Sequence, residues 1–282
     1  MIHRRWTQER PDGAVVTADL RMPDGAPARS AVVVVHGFKG FKDWGFFPHL
    51  SETLVADGHA VVTMNFSLNG IGSDPTEFTE LENFARNNLS RELDEVLAVV
   101  EAVAGSEMLP VPPRRIGLLG HSRGGGIAVL AAGESDRVNA LVSWAAVADF
   151  DRWDEATREQ WRREGRIHVL NGRTGQQMPL DLTLLEDFES HRDRLDVTAA
   201  AGRVAVPWLI AHGTDDPAVS LNDARALSDA APHAELLVVP GAGHTFDVGH
   251  PFEGPSKAYT EVVERTRAHF RAALTGSGDP PR

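Results

Sequence analysis

A serine between two glycines is the residue of this chain with the clearest potential for chemistry. Residues 120–124 read Gly-His-Ser-Arg-Gly, with Ser122 at the centre. An apolar run at residues 116–119 precedes the motif, and a run of small and apolar residues at 124–132 follows it. This order predicts a strand, a tight turn and a helix, in which the turn strains the serine backbone and exposes the hydroxyl. The motif therefore predicts a nucleophilic serine.

A serine hydroxyl needs two partners to react at neutral pH: a base that takes its proton and a third group that orients the base. His244 is a candidate base, because it closely follows a predicted strand at residues 235–239. Asp215 and Asp216 are both candidates for the orienting acid, and they follow another predicted strand at residues 206–211. The nucleophile, the acid and the base thus occur in the chain order Ser, Asp, His.

Alternating strands and helices are needed to position these residues. Strands are predicted at residues 31–35, 60–66, 115–119, 140–146, 206–211 and 235–239, of which the first two are expected to be buried on both faces, and helices at 48–57, 89–104, 124–132, 220–231 and 256–274. An antiparallel hairpin around the turn at 10–13 precedes them. This alternation predicts an α/β fold with a mostly parallel sheet covered by helices on both faces. Ligands bind such sheets beyond the carboxyl ends of the strands, where the candidate residues lie.

The chain is predicted to form a single domain over residues 1–282, with one break in the alternation. Residues 149–202 are richer in charge, and we interpret them as a lid insertion over one end of the sheet. Trp153 and Trp161 either line a substrate pocket or pin the insertion to the body, and the sequence leaves both roles open. The low-complexity residues 275–282 predict a disordered tail.

Charged pairs spaced four residues apart mark the start of this insertion. Asp154 precedes Arg158 at this spacing, and Glu159 precedes Arg163 in the same way. Pairs of this kind meet on one side of a helix, so they predict a solvated helix face.

Composition excludes several classes of partner. The formal net charge of −12 argues against nucleic acid or an anionic membrane. The chain has no cysteine, and no apolar stretch follows its basic N-terminus, so we predict a cytoplasmic protein. The histidine spacing fits no metal motif, and the glycines at 124–126 lack the lysine of a phosphate loop, so neither a metal nor a cofactor is predicted. Homo-oligomer formation is left open.

Four motifs together carry a resemblance to a known family. They are His-Gly-Phe-x-Gly at 36–40, Gly-x-Ser-x-Gly-Gly at 120–125, His-Gly-x-x-Asp at 212–216 and Gly-x-x-His at 241–244. The chain resembles the α/β-hydrolase superfamily, and within it the bacterial esterases of the dienelactone-hydrolase and cinnamoyl-esterase-like branch. Dienelactone hydrolases proper use a cysteine nucleophile, which this chain lacks, so their specific activity is not implied.

The resemblance implies an α/β-hydrolase fold and a role for each site residue. Ser122, Asp216 and His244 would form the catalytic triad, with Asp216 favoured over Asp215. The backbone N–H groups of Phe38 and Arg123 would form the oxyanion hole.

The side chains of three further residues at these motifs need separate interpretation. His36 and His212 are interpreted as structural. The Arg123 side chain would either pair with a buried acid or orient a substrate carboxylate.

The leading hypothesis is a serine hydrolase that cleaves a small-molecule carboxylic ester through an acyl-enzyme. A peptidase or an acyltransferase with the same triad is the alternative, because the same acyl-enzyme reacts with other acceptors. A peptidase acting at chain ends would need an acidic cluster for the substrate ammonium, and residues 186–189 are a candidate that a solvated helix face explains equally well. A non-catalytic binder on the same fold is the third hypothesis.

Overall fold

The computed structural model describes residues 1–25, 27–105 and 107–275 of the 282-residue chain. The strands are β1 (Ile2–Glu9), β2 (Val15–Met22), β3 (Ser30–Val35), β4 (Ala60–Asn65), β5 (Arg115–His121), β6 (Val138–Trp144), β7 (Arg166–Leu170), β8 (Gln177–Asp181), β9 (Trp208–Gly213) and β10 (Glu235–Val239). The helices are α1 (Phe47–Ala56), α2 (Leu81–Ala85), α3 (Leu89–Ala104), α4 (Arg123–Glu134), α5 (Glu155–Glu164), α6 (Thr183–Ser190), α7 (Val197–Ala201), α8 (Leu221–Ala230) and α9 (Lys257–Thr275).

Eight strands form one sheet in the order β1-β2-β4-β3-β5-β6-β9-β10. The pairs from β4 to β10 are parallel, while β2 pairs antiparallel with both β1 and β4. The predicted mostly parallel sheet and the N-terminal hairpin are therefore confirmed. All six residues of β3 are buried, as expected for a β-branched strand that is covered on both faces.

The two faces of the sheet contribute to two separate hydrophobic cores. Side chains alternate along a strand, so Val33 and Val35 of β3 join one core while Val32 and Val34 join the other. The first core includes buried residues of α3, α4 and the insertion, and the second includes those of α1 and α9. The amphipathic pattern predicted for residues 89–104 corresponds to α3, whose apolar face is buried.

The segment at 149–202 lies between β6 and β9 and contains more regular structure than its sequence predicted. It holds α5, a β7–β8 antiparallel hairpin that forms a separate two-stranded sheet, α6 and α7. The hairpin was not predicted; only its turn at 171–175 carried a turn signal. That the insertion acts as a lid stays a prediction.

The prediction of a solvated helix face at Arg158 is wrong. Its side chain is buried, forms an ion pair with Asp151, and lies 3.4 Å from a Glu189 carboxylate oxygen. Asp154 caps α5 instead, since its Oδ1 accepts the Thr157 N–H at 2.8 Å. The aliphatic part of an arginine side chain can be buried when carboxylates lie close enough to pair with its guanidinium. The spacing of residues along a helix does not show whether such carboxylates are present.

The predicted disordered tail at 275–282 lies outside the described residues from residue 276 onward, and Thr275 ends α9. Among the described helices, none is long and apolar enough to cross a membrane.

Candidate active site

Ser122 lies in the turn between β5 and α4 with φ 59° and ψ −124°. A positive φ is uncommon for a residue with a side chain, and strain of this kind persists only where the surrounding structure enforces it. The Ser122 N–H donates to the Trp144 carbonyl at 2.9 Å, and the Ser122 carbonyl accepts the Gly125 N–H at 2.9 Å. These bonds to β6 and α4 fix the strained turn that the sequence predicted.

The glycines of the turn are required by close packing. A Cβ atom on Gly120 would lie 2.2 Å from the Gly124 carbonyl oxygen. A Cβ on Gly124 would lie 2.2 Å from the His36 carbonyl oxygen, because the loop after β3 runs against the turn. Contacts this short exclude a side chain at either position. The motif therefore needs glycine at 120 and 124 because β5, the start of α4 and the loop after β3 approach one another closely.

His244 and Asp216 are joined by a short hydrogen bond at the ends of β10 and β9. The distance from His244 Nδ1 to Asp216 Oδ2 is 2.7 Å, and the Asp216 side chain is fully buried. The other carboxylate oxygen accepts the N–H groups of Ala218 at 2.8 Å and Val219 at 2.9 Å. This arrangement leaves Nε2 of His244 as the ring atom available to a reacting group.

The environment of Asp216 keeps its carboxylate charged. Burial opposes ionisation, but hydrogen bonds from His212, from His244 and from the Val219 N–H outweigh it and hold the pKa of Asp216 well below its ordinary value. Asp215, the other candidate, is exposed and accepts a hydrogen bond from the Thr214 hydroxyl at 2.8 Å. The structure thus brings Asp216, and not Asp215, to the imidazole.

The candidate oxyanion donors come from two backbone segments beside Ser122. Arg123 is the first residue of α4, so its N–H has no acceptor within the helix. Phe38 follows Gly37, on which a Cβ would lie 2.8 Å from the Ser122 Cβ. Lys39 has φ 56°, which turns the loop sharply after Phe38. The roles of both N–H groups stay predictions, but each belongs to a segment packed around the serine.

The Arg123 side chain pairs with a buried acid. Its guanidinium lies 3.6 Å from a Glu92 carboxylate oxygen and 3.9 Å from the centre of the Phe38 ring. Burial raises the pKa of Glu92 to about 6, although the charge of Arg123 and a hydrogen bond from Asn87 oppose that rise. The side chain therefore has a structural partner, and it also lines a cavity beside Ser122.

Three buried histidines surround the site. His36 Nδ1 lies 2.9 Å from the Gly37 carbonyl, and burial lowers its pKa to about 4, in agreement with a structural role. His212 Nε2 lies 2.9 Å from the Val219 carbonyl and 3.3 Å from Asp216 Oδ2. His212 thus has the structural role that the sequence predicts, and it also contacts the carboxylate of Asp216.

His121 is the residue that sequence reasoning missed. Its Nε2 donates to the His244 carbonyl at 2.9 Å, and the two ring centres are 4.8 Å apart. Burial and the neighbouring His244 lower the pKa of His121 to about 3, which keeps the ring neutral. The only signal in the sequence was its place as the variable residue before Ser122.

The two tryptophans that the sequence left open have different roles. Trp161 is fully buried and donates from Nε1 to the Leu180 carbonyl at 3.0 Å, so it pins α5 to the β8 strand. Trp153 lines a cavity beside Ser122 and packs edge-on against Trp161 at 5.3 Å. Trp153 therefore lines the pocket, while Trp161 joins two elements within the insertion.

Two cavities open beside Ser122 and His244, and Phe38 and Lys39 line both. The larger, about 380 Å³, is bounded by apolar and cationic side chains that include Val147, Phe150, Trp153, Arg123 and Arg152. The smaller, about 190 Å³, is bounded by Trp44, Phe47, Asn171, Arg173 and Thr245, among others. Both cavities are therefore open to the parts of a substrate whose reacting bond is placed at the serine.

A model of the alpha/beta hydrolase family matches residues 32–263, most of the chain. The chain belongs to this family. It is 26% identical over 238 residues to 2,6-dihydropseudooxynicotine hydrolase of Paenarthrobacter nicotinovorans, a match that covers 83% of this chain and 57% of that protein. The chain thus spans less than two thirds of the length of this curated relative.

Solved structures of other proteins share the fold. Est1E from Butyrivibrio proteoclasticus with bound ferulic acid has a TM-score of 0.68 at 23% identity, covering 94% of this chain and 98% of that one. Dienelactone hydrolase from Anabaena variabilis has a TM-score of 0.61 at 18% identity, covering 96% of this chain and 99% of that one. At these identities the likeness shows the fold.

Proposed function

We propose that this hydrolase cleaves carboxylic esters through an acyl-enzyme on Ser122. The observation that carries the proposal is the buried Asp216–His244 hydrogen bond, which lies beside the same two cavities as the strained serine. The acid at Nδ1 leaves Nε2 without a proton, so that the ring is in the tautomer that accepts one. The esterase domain of a Rhodothermus marinus protein, which shares the fold with a TM-score of 0.64 at 22% identity, supports the choice of bond.

The reaction follows from the placement of these groups. As Ser122 Oγ bonds to the ester carbonyl carbon, its proton passes to His244 Nε2, and the carbonyl oxygen becomes an oxyanion held by the N–H groups of Phe38 and Arg123. The C–O bond then breaks, and His244 returns the proton to the departing alcohol. Water, deprotonated by the same histidine, attacks the acyl-enzyme, releases the carboxylic acid and restores Ser122.

The acidic cluster that a peptidase would need is engaged elsewhere. Asp187 accepts the Ser90 N–H at 2.9 Å, and Glu189 accepts from Arg158 and Arg162. Among the described residues that line the two cavities at Ser122, none carries a carboxylate. A substrate ammonium would find no counter-charge there, which favours an ester over a peptide with a free amino terminus. We also propose that the enzyme acts in the cytoplasm, on small molecules.

The experiment is the hydrolysis of 4-nitrophenyl butyrate by the wild type and by Ser122→Ala. We expect the variant to lose at least about 10³-fold in turnover, because the serine, the base and the acid act as a unit. Comparable activity in both proteins would refute the proposal. Faster release of 4-nitrophenol on adding a small alcohol, with formation of a new ester, would identify an acyltransferase instead.

A further inference from the structure

Two cationic side chains line the smaller cavity without an ion-pair partner. In the described part of the chain, no carboxylate oxygen lies within 4.0 Å of the charged nitrogens of Lys39 or Arg173. Lys39 also lines the larger cavity, but the two arginines there differ from Arg173, since Arg123 pairs with Glu92 and Arg152 lies 3.5 Å from Asp223 Oδ1. Arg173 is influenced only at longer range, by the charge of Glu77. Positive charge without a direct ion pair beside the nucleophile of a chain with net charge −12 is a feature that an anionic ligand would explain.

Asn171 supplies a second, independent observation in the same cavity. The residue is only 4% exposed, and its side-chain Nδ2 is buried without a hydrogen-bond acceptor among the described residues. Its Oδ1 accepts the Arg173 N–H at 3.2 Å, which fixes the orientation of the amide. Buried amide donors are normally paired, so this nitrogen is a donor beside the cavity that still lacks an acceptor.

Hydrogen bonds of the β7–β8 hairpin and of the loop after β3 position Asn171 and Lys39, while Arg173 is exposed at the hairpin turn. The Asn171 N–H donates to the Gln176 carbonyl at 2.8 Å and its carbonyl accepts the Gly175 N–H at 2.8 Å, which closes the hairpin turn. Lys39 Nζ donates to the Leu170 carbonyl at 2.9 Å and so joins the loop to the hairpin. The Arg173 guanidinium lies over the Phe41 ring at 5.5 Å. The donors of Asn171 and Lys39, held in this way, need little ordering when an anion binds.

We propose that Asn171, Lys39 and Arg173 form a carboxylate-binding subsite, and that the enzyme prefers esters that carry a second, free carboxylate on one arm. The proposal rests on the proposed ester hydrolysis at Ser122. A carboxylate has acceptor atoms for both an amide N–H and a guanidinium, and the cavity of about 190 Å³ holds a short arm. The β7–β8 hairpin thus supplies the specificity of the site.

The test compares matched pairs of charged and neutral esters. The first pair, the 4-nitrophenyl monoester of glutaric acid and its methyl ester, places the charge on the acyl arm. The second, the butyrate esters of 4-hydroxybenzoic acid and of methyl 4-hydroxybenzoate, places it on the alcohol arm. We expect kcat/KM for the charged member of one pair to exceed that of its neutral partner by about tenfold or more, and added salt to reduce the preference.

Variants of the subsite assign this preference to its residues. Arg173→Gln is expected to raise KM for the charged ester about tenfold and to raise KM for the neutral ester much less, so that the ratio of the two kcat/KM values falls. Asn171→Asp keeps the oxygen that closes the hairpin turn but opposes an anion, so it should favour the neutral ester. Arg162→Gln removes the same charge from α5, away from the cavity, and should change neither ester. Thermal unfolding verifies that each variant is folded.

Two results would overturn the subsite. One is the absence of any preference for a charged ester in the wild type, and the other is a preference that persists unchanged in both Arg173→Gln and Asn171→Asp. If Ser122-dependent hydrolysis of the neutral esters continues in either case, the proposed function stands and only the subsite fails. If no ester is cleaved, calorimetric titration with glutarate decides: binding lost in Asn171→Asp supports the subsite, and no binding refutes it.

Discussion

Replacement of Asp216 by asparagine gives a sharp prediction, because every atom of this carboxylate has an assigned partner. One oxygen accepts the backbone N–H groups of Ala218 and Val219, and the other accepts from His244 Nδ1 at 2.7 Å and lies 3.3 Å from His212 Nε2. An asparagine must keep its oxygen toward the two fixed backbone donors. Its NH₂ group then takes the place of Oδ2, the carboxylate oxygen that faces the imidazoles of His244 and His212.

A donor opposite Nδ1 favours the wrong tautomer of His244. The ring proton moves to Nε2, which is the atom that must accept the proton of Ser122. In serine proteases the same aspartate-to-asparagine change lowers kcat by about 10⁴-fold, or about 5 kcal/mol of transition-state stabilisation. We expect a loss of that order for Asp216→Asn, with KM changed much less because the cavity walls are untouched.

Asp215→Asn is the matched control for this experiment. It makes the same chemical change one residue away, at an exposed side chain bonded to Thr214, and should leave kcat within about twofold. The assay is the initial rate of 4-nitrophenyl butyrate hydrolysis, with thermal unfolding to show that both variants are folded. Retention of more than about a tenth of kcat by Asp216→Asn, or an equal loss in Asp215→Asn, would refute the reasoning.

Further predictions concern stability and positioning. The pKa of Glu92 is raised from 4.5 to about 6, so the folded protein binds this proton more tightly than the unfolded chain does. The stabilisation of the fold is present below pH 4.5 and is lost as the pH rises through 6. The free energy of unfolding, measured with urea, should therefore fall by about 2 kcal/mol over this range, and Glu92→Gln should not show that fall. Trp161→Ala should lower the free energy of unfolding by about 3–5 kcal/mol, since the indole is fully buried and loses its bond to Leu180; equal urea midpoints would contradict this. Trp153→Ala should lower the free energy of unfolding less than Trp161→Ala does, but it should raise KM for bulky esters. Unchanged KM values would show that Trp153 does not line the substrate pocket. His121→Phe removes the donor to the loop of the catalytic histidine and should lower kcat about tenfold with KM nearly constant, a split that steady-state kinetics measures.

The sequence predicted the parts of the site that depend on the regular sheet. Strands buried on both faces are recognisable from continuous apolar runs, and their carboxyl ends meet at one edge of the sheet. Ser122 and Asp216 follow such strands, and His244 follows the half-buried edge strand β10, which is parallel to its neighbour β9, so the convergence of the three residues could be expected from the sequence. The choice of Asp216 over Asp215 needed the family resemblance, because both residues occupy the same turn.

The insertion was predicted less well because its contacts are long-range. The β7–β8 hairpin has one face against the body and a mixed pattern of side chains, so it lacks the clear alternation of an isolated strand pair. Arg158 is buried where it pairs with two acids from outside its own helix, Asp151 and Glu189. The place of Asn171 beside Ser122 likewise depends on how the hairpin docks, which local sequence patterns do not encode.

The most direct test of the account is the identification of the residue that becomes acylated or phosphonylated. The purified protein is treated with a fluorophosphonate, digested and mapped by mass spectrometry, with Ser122→Ala as the control. We predict one adduct on the peptide that contains Ser122, loss of ester hydrolysis in proportion to labelling, and no adduct in the variant. An unlabelled Ser122 in a protein that hydrolyses esters, or an equal adduct in Ser122→Ala, would contradict the central claim.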